Sequence, residues 1–496
     1  MSLRANGSLA EGLDAYPQTA FTSAFCARRS HNGGRIAARR RAAGTVTPET
    51  GLNSTWERPT RLERIGLAAL FILTILFGGL VEIRSNFLVR RLTDLDVFLR
   101  AGWAIRTGRD IYTVTEGHGW HFQYPPVFAI AIAPLADPPP GYNRAYTLPF
   151  GVSVVVWYAL SVACLAVGVH LLASAVERAA AERFGGLPPP GSRAWWTLRV
   201  MPIVAALGPA GFTLSRGQAN FIELVALCAM IAAVMARRSY AAGWWLAAAV
   251  CTKVIPIYLV VYPIWRRDLK MVAACAAGLA LGLVVLPSIA IGPARTADYF
   301  REWVRVLVEP AAGIGNDRSR ATELLDVNGT DNQSFEAMIH NWSNLEQTMT
   351  LGRKQRSPRL AWYERPMHAA LAIVFTAITL IAAGWSRRGA LDEELAISAL
   401  MIIMVLSSPA SHVHYFVLAI PALIGLFAAA RMPRRAYPDA WTMGLLIAFG
   451  VATGAPLLPH CEVLGDLGLA VAASLVCWAA ALGSLVTDGR ASAGAI

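Results

Sequence analysis

Charge is scarce in this chain. Only 15% of its 496 residues are Asp, Glu, Lys or Arg, against about 25% in ordinary globular proteins. Lysine is confined to positions 253, 270 and 354. With 55% hydrophobic residues and a mean hydropathy of +0.46, the chain has too much apolar surface for the roughly three soluble domains its length would suggest. The composition excludes an ordinary soluble protein and predicts an all-α polytopic membrane protein. Cysteine is sparse too. The seven (Cys26, Cys164, Cys228, Cys251, Cys275, Cys461 and Cys477) are odd in number, form no CxxC pair and lie mostly within apolar runs. That pattern predicts neither a disulfide framework nor a metal site. An early apolar run is also missing: the first long one begins at Ile65, so no cleavable secretory signal is expected. No internal repeat of the kind transporters carry is visible.

Positive charge is what the chain has in excess, at a formal +12. Much of it sits in the first 62 residues, where Arg35, Arg39, Arg40 and Arg41 cluster in an Arg-, Ala-, Gly- and Ser-rich stretch without periodicity. This predicts a disordered basic cytoplasmic tail over 1–62, with an organellar transit peptide as the alternative. The remainder falls in short loops between apolar runs, where cytoplasmic orientation explains it, so no nucleic-acid partner is implied.

The apolar runs predict spans at 65–83, 149–173, 200–214, 219–236, 271–291, 366–385, 395–408, 413–430, 441–457 and 467–486. Residues 241–265 read as two short apolar helices broken at Thr252-Lys253-Val254-Ile255-Pro256. Arg237-Arg238 and Arg266-Arg267 flank both ends of that pair, which makes it re-entrant or, if it crosses fully, brings the count from ten to twelve. Alternation of Arg-rich loops puts both termini in the cytoplasm, including the tail at 488–496, and leaves 84–148 and 292–365 outside. Between those limits, 63–487 is one membrane domain. Within the first outer segment, the run 122–135 is too short to span and predicts an interfacial helix started by Pro125-Pro126.

Several residues carry possible chemistry. Asp94 and Asp96 follow the first span by about ten residues; a carboxylate held there can act as general base, or Asp94 can simply cap a short helix. Lys253, in an apolar segment, reads either as a phosphate partner or as a residue snorkelling to headgroups. Arg216 is likewise a phosphate ligand or an interfacial anchor. Gln218 and Asn220 suit helix capping and interhelical bonding as well as substrate contact. Asn332 and Gln333 match sugar hydroxyls through paired donors and acceptors, or form a polar turn. His118 and His121 lack partners clearly placed to complete a metal site and read as interfacial residues.

The order Asp94-x-x-Val97-Phe98, Ala101, Gly108, Tyr112, Phe122, Tyr124-Pro125-Pro126 and Pro134-Leu135 resembles the signature of glycosyltransferase family 87, also known as domain of unknown function 2029. Further likenesses are Gly217-Gln218-Ala219-Asn220, Lys253 with Pro256, Asn332-Gln333-Ser334, and Ser408-Pro409-x-Ser411-x-x-His414-Tyr415. They cover roughly 65–430. The resemblance implies a GT-C-type helical bundle whose active site faces outward, using a polyprenyl-phosphate sugar, no nucleotide and no further cofactor. It puts the catalytic aspartate at Asp94, with Asp96 second, and a donor-phosphate histidine at His414. Lys253 and Arg216 would join His414, because a phosphate leaving group needs cationic or hydrogen-bonding partners. Gln218, Asn220, Asn332, Gln333 and Tyr124 would meet acceptor or sugar, Tyr124 also being architectural with its two prolines. His412 replaces the large aromatic that the family usually has at that position.

The implied function is transfer of a hexose, mannose by the resemblance, from a polyprenyl-phosphate donor to a lipid or glycan acceptor, with inversion. The alternatives are a secondary transporter or lipid flippase, and an O-antigen-ligase-like or polymerase enzyme. A transporter should gather its ionisable residues at the bilayer midplane; here they gather at outer helix ends and loops, apart from Lys253.

Overall fold

The structure is a computed structural model that describes residues 57–87, 93–115, 117, 119–184, 186–311, 314, 319–320, 323, 327–328, 332–385, 389–430, 440–458 and 461–493. The basic tail over 1–56, His118, Arg387-Arg388 and the arginines at 431, 434 and 435 lie outside these residues. The described residues are helical throughout, apart from loops and two isolated bridges, Thr115 to His121 and Asn332 to His412.

Helix α1 (Arg61–Asn86) begins where Thr60 and Glu63 form a reciprocal capping box: Glu63 N donates to Thr60 Oγ1 at 3.2 Å and Thr60 N to Glu63 Oε2 at 2.6 Å. Then come α2 (Thr93–Thr107), α3 (Pro126–Ile132), α4 (Phe150–Phe184), α5 (Arg193–Ala205), α6 (Leu207–Arg216), α7 (Asn220–Met235) and α8 (Ser239–Thr252). Helices α9 (Val261–Arg266), α10 (Leu269–Leu279), α11 (Leu286–Ile291) and α12 (Pro293–Trp303) follow. The remainder are α13 (Phe335–Ser343), α14 (Glu364–Trp385), α15 (Ala390–Leu406), α16 (Ile420–Ala429), α17 (Ala440–Gly454) and α18 (Leu469–Ala493). The segment expected as a C-terminal tail continues α18 as far as Ala493.

Among the described residues, six helical stretches are long and apolar enough to cross a membrane: Arg61–Asn86, Phe150–Glu182, Leu269–Ile291, Glu364–Trp385, Ala440–Leu457 and Leu469–Val486. They coincide with six of the expected spans. The most apolar stretch of α1 is only 6% buried, and Phe71, Leu73 and Leu76 are more than 60% exposed. Such a surface suits lipid as its solvent and makes this an integral membrane protein. The other four expected spans take different forms. Residues 200–214 are the pair α5 and α6, bent by 67°; with that pair counted as one, the total is seven. The helices in 219–236 and 395–408 have 16 and 17 residues, and 413–430 opens with a 3-10 turn before α16. These helices are wrapped by protein: every described residue of α15 from Leu391 to Leu406 is buried, as expected for a helix apolar on all sides.

The break at residues 252–256 forms as expected. Helix α8 ends at Thr252, Lys253 adopts an extended backbone (φ −150°, ψ 133°), and a 3-10 turn over Ile255–Val260 leads into α9. Pro256 favours this, since in a continuous α-helix its ring would clash with the Thr252 carbonyl and leave it without an N–H donor. The proline-started α3 also forms, with Pro125 as its N-cap and Pro126 as its first residue.

Two apolar cores result. One joins α4, α7, α8, α15, α16 and α18; the other joins α2, α3, the start of α4 and α12, around Phe98, Phe122, Phe128 and Trp157. They meet at the turn from α6 to α7, where Ala219 belongs to the second core and Phe221 to the first. That seam carries the polar residues described next.

Candidate active site

The corner between α6 and α7 is made by Gly217, whose φ of +66° lies in the left-handed region and closes α6. The indole Nε1 of Trp157 donates to the Gly217 carbonyl at 2.8 Å and fixes the corner against α4. Arg216 precedes the turn, while Gln218 and Asn220 follow it, so three of the expected site residues leave one bend in different directions.

Arg216 reaches α2. Its Nε donates to Asp94 Oδ2 at 2.7 Å, with both side chains about three-quarters buried, and its guanidinium lies 5.3 Å from the Phe212 ring. Asp94 thus serves as an ion-pair partner across helices. Asp96, two positions later, faces the other way, because 100° per residue turns it by about 200°. It is 1% exposed and pairs with Arg100 at 3.5 Å, itself 4% exposed. The structure therefore brings Asp94 to the cluster and leaves Asp96 in the packing of α2.

Asn220 is the hub. Its Oδ1 accepts from Lys253 Nζ at 3.0 Å and its Nδ2 donates to the His414 carbonyl at 2.8 Å. Thr213 Oγ1 donates to the same carbonyl at 3.2 Å. The His414 backbone is therefore held from α6 and α7, whereas both of its ring nitrogens are buried without a hydrogen-bond partner. Around the ring stand Phe212, His412 and Tyr415, at centroid distances of 5.9, 5.4 and 4.7 Å. The Lys253 ammonium sits 3.6 Å from the centroid of the Tyr415 ring and 5.9 Å from that of Tyr124, a cation–π arrangement that offsets part of the cost of burying it. The extended backbone at Lys253 is what turns this side chain inward instead of along α8.

Tyr124 OH donates to Gln218 Oε1 at 3.0 Å, and the Tyr124 carbonyl accepts from Tyr112 OH at 3.1 Å. Burial pushes the Tyr124 hydroxyl well above its ordinary range, and the charges of Asp94 and Glu223 add to the shift, so it remains a neutral donor. Asn332 ties the loop before His414: its Oδ1 accepts from the backbone N–H groups of Ser411 and Ser334, both at 3.1 Å, and its Nδ2 donates to the Pro409 carbonyl at 3.3 Å. Its amide is committed to backbone. Gln333 is the opposite case, 2% exposed with both side-chain polar atoms unpartnered. His121 stands apart from this cluster, with Nδ1 2.7 Å from Glu323 Oε1.

Sequence reasoning missed Glu223 and gave Tyr415 no role. Glu223 is fully buried one turn after Asn220, and both of its oxygens lack a hydrogen-bond partner. The signal was available, since a lone acid inside an apolar run marks a functional candidate. The cluster as a whole combines one partly exposed carboxylate, three nitrogen groups suited to an anion, and buried acceptors suited to hydroxyls.

The sequence profile of Glycosyltransferase family 87 matches residues 122–409, more than half of the chain. That range takes in Tyr124, Arg216, Gln218, Asn220, Glu223, Lys253, Asn332 and Gln333, while Asp94, Asp96 and His414 fall outside it. Over 407 residues, 78% of this chain and 82% of the relative, the sequence is 26% identical to the polyprenol-phosphate-mannose-dependent alpha-(1-2)-phosphatidylinositol mannoside mannosyltransferase of Mycolicibacterium smegmatis.

Proposed function

The chain belongs to glycosyltransferase family 87, and from that membership we propose that it moves a hexose, mannose in particular, from a polyprenyl-phosphate donor to a lipid or glycan acceptor. The observation that carries the proposal is the meeting of Asp94, Arg216, Lys253 and His414 at one seam. Transfer from a phosphate-linked sugar needs a base for the incoming hydroxyl and positive or hydrogen-bonding groups for the departing phosphate. These four residues are of those types. The relative's dependence on polyprenol-phosphate-mannose supports the donor class.

In this reading the acceptor hydroxyl attacks the anomeric carbon while the bond from that carbon to the phosphate oxygen breaks. Polyprenyl phosphate departs with the electron pair, and Asp94 takes the hydroxyl proton. Arg216 holds the Asp94 carboxylate in position until then. Lys253 and His414 meet the growing charge on the phosphate, and direct attack inverts the anomeric centre. Gln218, Asn220, Gln333 and Tyr124 line the sugar or acceptor side, and Asn332 shapes the loop that carries His414. Asp96 supports α2 through Arg100.

We further propose a GT-C-type bundle in the cell membrane with this site on the outer side and both termini in the cytoplasm. Supporting this, the site residues cluster at the start of α7, whereas Arg237 and Arg238 lie at its other end, about 24 Å away for 16 residues. There Arg237 and Arg266 both pair with Glu393.

Purified protein in vesicles tests the function. Radiolabelled polyprenyl-phosphate-mannose with a phosphatidylinositol mannoside acceptor should give labelled glycolipid, and nucleotide-linked mannose should give none. Movement of donor lipid between leaflets without covalent transfer would replace the enzyme reading with a flippase.

A further inference from the structure

We propose that Glu223 forms the floor of the sugar subsite, where its carboxylate accepts hydrogen bonds from two neighbouring hydroxyls of the sugar being transferred. The inference rests on the reading of the protein as a polyprenyl-phosphate-sugar transferase and specifies which residue holds the sugar.

Glu223 is 0% exposed, and neither oxygen has a hydrogen-bond partner among the described residues. A carboxyl group buried with neither oxygen met by a partner is unfavourable, and hydroxyls, which both donate and accept, can meet it in either protonation state. The cations nearby are already engaged. Lys253 donates to Asn220 and rests over Tyr415, and Arg216 holds Asp94; Lys253 attracts Glu223 through space without forming an ion pair with it. Among the described residues no donor meets Glu223, and the proposed sugar supplies the missing partners.

The chemistry of those partners follows from the groups around them. A phosphate finds its complementary donors at His414, Lys253 and Arg216, which assigns the anion to that side of the cluster. A neutral, hydroxyl-rich group suits the carboxylate, whose two oxygens match two adjacent hydroxyls. Position agrees with this division. Glu223 lies one turn into the protein from Asn220 on the same face of α7, and its charge is felt at Tyr124 together with that of Asp94. Glu223 thus lies one turn from the Asn220 that holds Lys253 and within electrostatic reach of Tyr124. A donor with its phosphate at Lys253 would present its sugar to Glu223.

Binding of two ligands separates this from other roles. In detergent, polyprenyl-phosphate-mannose and sugar-free polyprenyl phosphate are titrated against wild type, Glu223→Ala and Glu223→Gln. The expected result is that Ala weakens the mannose-bearing ligand about 10- to 100-fold and leaves polyprenyl phosphate unchanged, with Gln between. Equal weakening of both ligands would show that Glu223 serves the cations and would overturn the proposal, as would no change in either. Should Ala fail to fold, the Gln variant is assayed with donors lacking one hydroxyl at a time. Wild type should lose affinity for the donor lacking a contacted hydroxyl, and Gln should lose less; equal losses overturn the proposal. Failure of wild type to bind either ligand would instead sink the donor reading itself.

Discussion

Arg216 and Asp94 join α6 to α2 through a 2.7 Å ion pair, although 121 residues separate them along the chain. The pair makes the proposed base and one proposed phosphate ligand a single electrostatic unit. The guanidinium orients the carboxylate through a charge-assisted hydrogen bond.

Asp94→Asn is expected to lower transfer by about 10²- to 10⁴-fold, the usual contribution of a positioned base, with folding preserved. Asp96→Asn should act differently. It breaks a buried pair and leaves Arg100 uncompensated, at a cost of about 3–5 kcal/mol in stability. Initial rates and thermal melts of both variants separate the two; near-normal transfer by folded Asp94→Asn, alongside an inactive, folded Asp96→Asn, would reverse the assignment.

Arg216→Lys keeps the charge but loses the planar fork that can meet a carboxylate and a phosphate together. Both kcat and donor affinity should fall, whereas a residue serving Asp94 alone would change kcat and leave donor binding intact. Donor titration beside steady-state kinetics decides which description holds.

His414→Gln should weaken donor turnover by about 1.5–3 kcal/mol, one charge-assisted contact. Stability should change little, because the ring nitrogens have no protein partner to lose and the backbone carbonyl contacts of Thr213 and Asn220 remain. Equal donor kinetics in the two proteins would remove His414 from the site and leave Lys253 and Arg216 as the phosphate groups.

Cysteines placed at Trp120 and Ser343, both exposed, in a background without native cysteine, should react with an impermeant thiol reagent in intact cells. A cysteine at Arg238 should react only after permeabilisation. The reverse pattern would invert the proposed orientation.

The sequence by itself determined that this is a helical membrane protein, because hydrocarbon-length apolar runs are local features that need no partner to be recognised. It determined the proline-started α3 and the break before Pro256 for the same reason, since proline fixes its own backbone and cannot sit inside a continuous helix. It also singled out Lys253 as a charge inside an apolar run, and it offered Asp94, Arg216, Asn220 and His414 as candidates through the resemblance to the family's motifs. What it could not supply was their pairing. Runs such as 219–236 and 395–408 are apolar like the others, and only their enclosure by neighbouring helices shows them as buried elements. Asp94 and Asp96 read almost alike in one dimension; the helical turn between them sends one to Arg216 and the other to Arg100. Asn332 and Gln333 are adjacent and chemically similar, yet one amide is tied to the loop at 409–411 and the other is left unpartnered. Glu223 became informative only when folding buried it without a donor. Each of these was decided by contacts between residues distant in sequence, which depend on the packing of whole helices and leave no periodic trace along the chain.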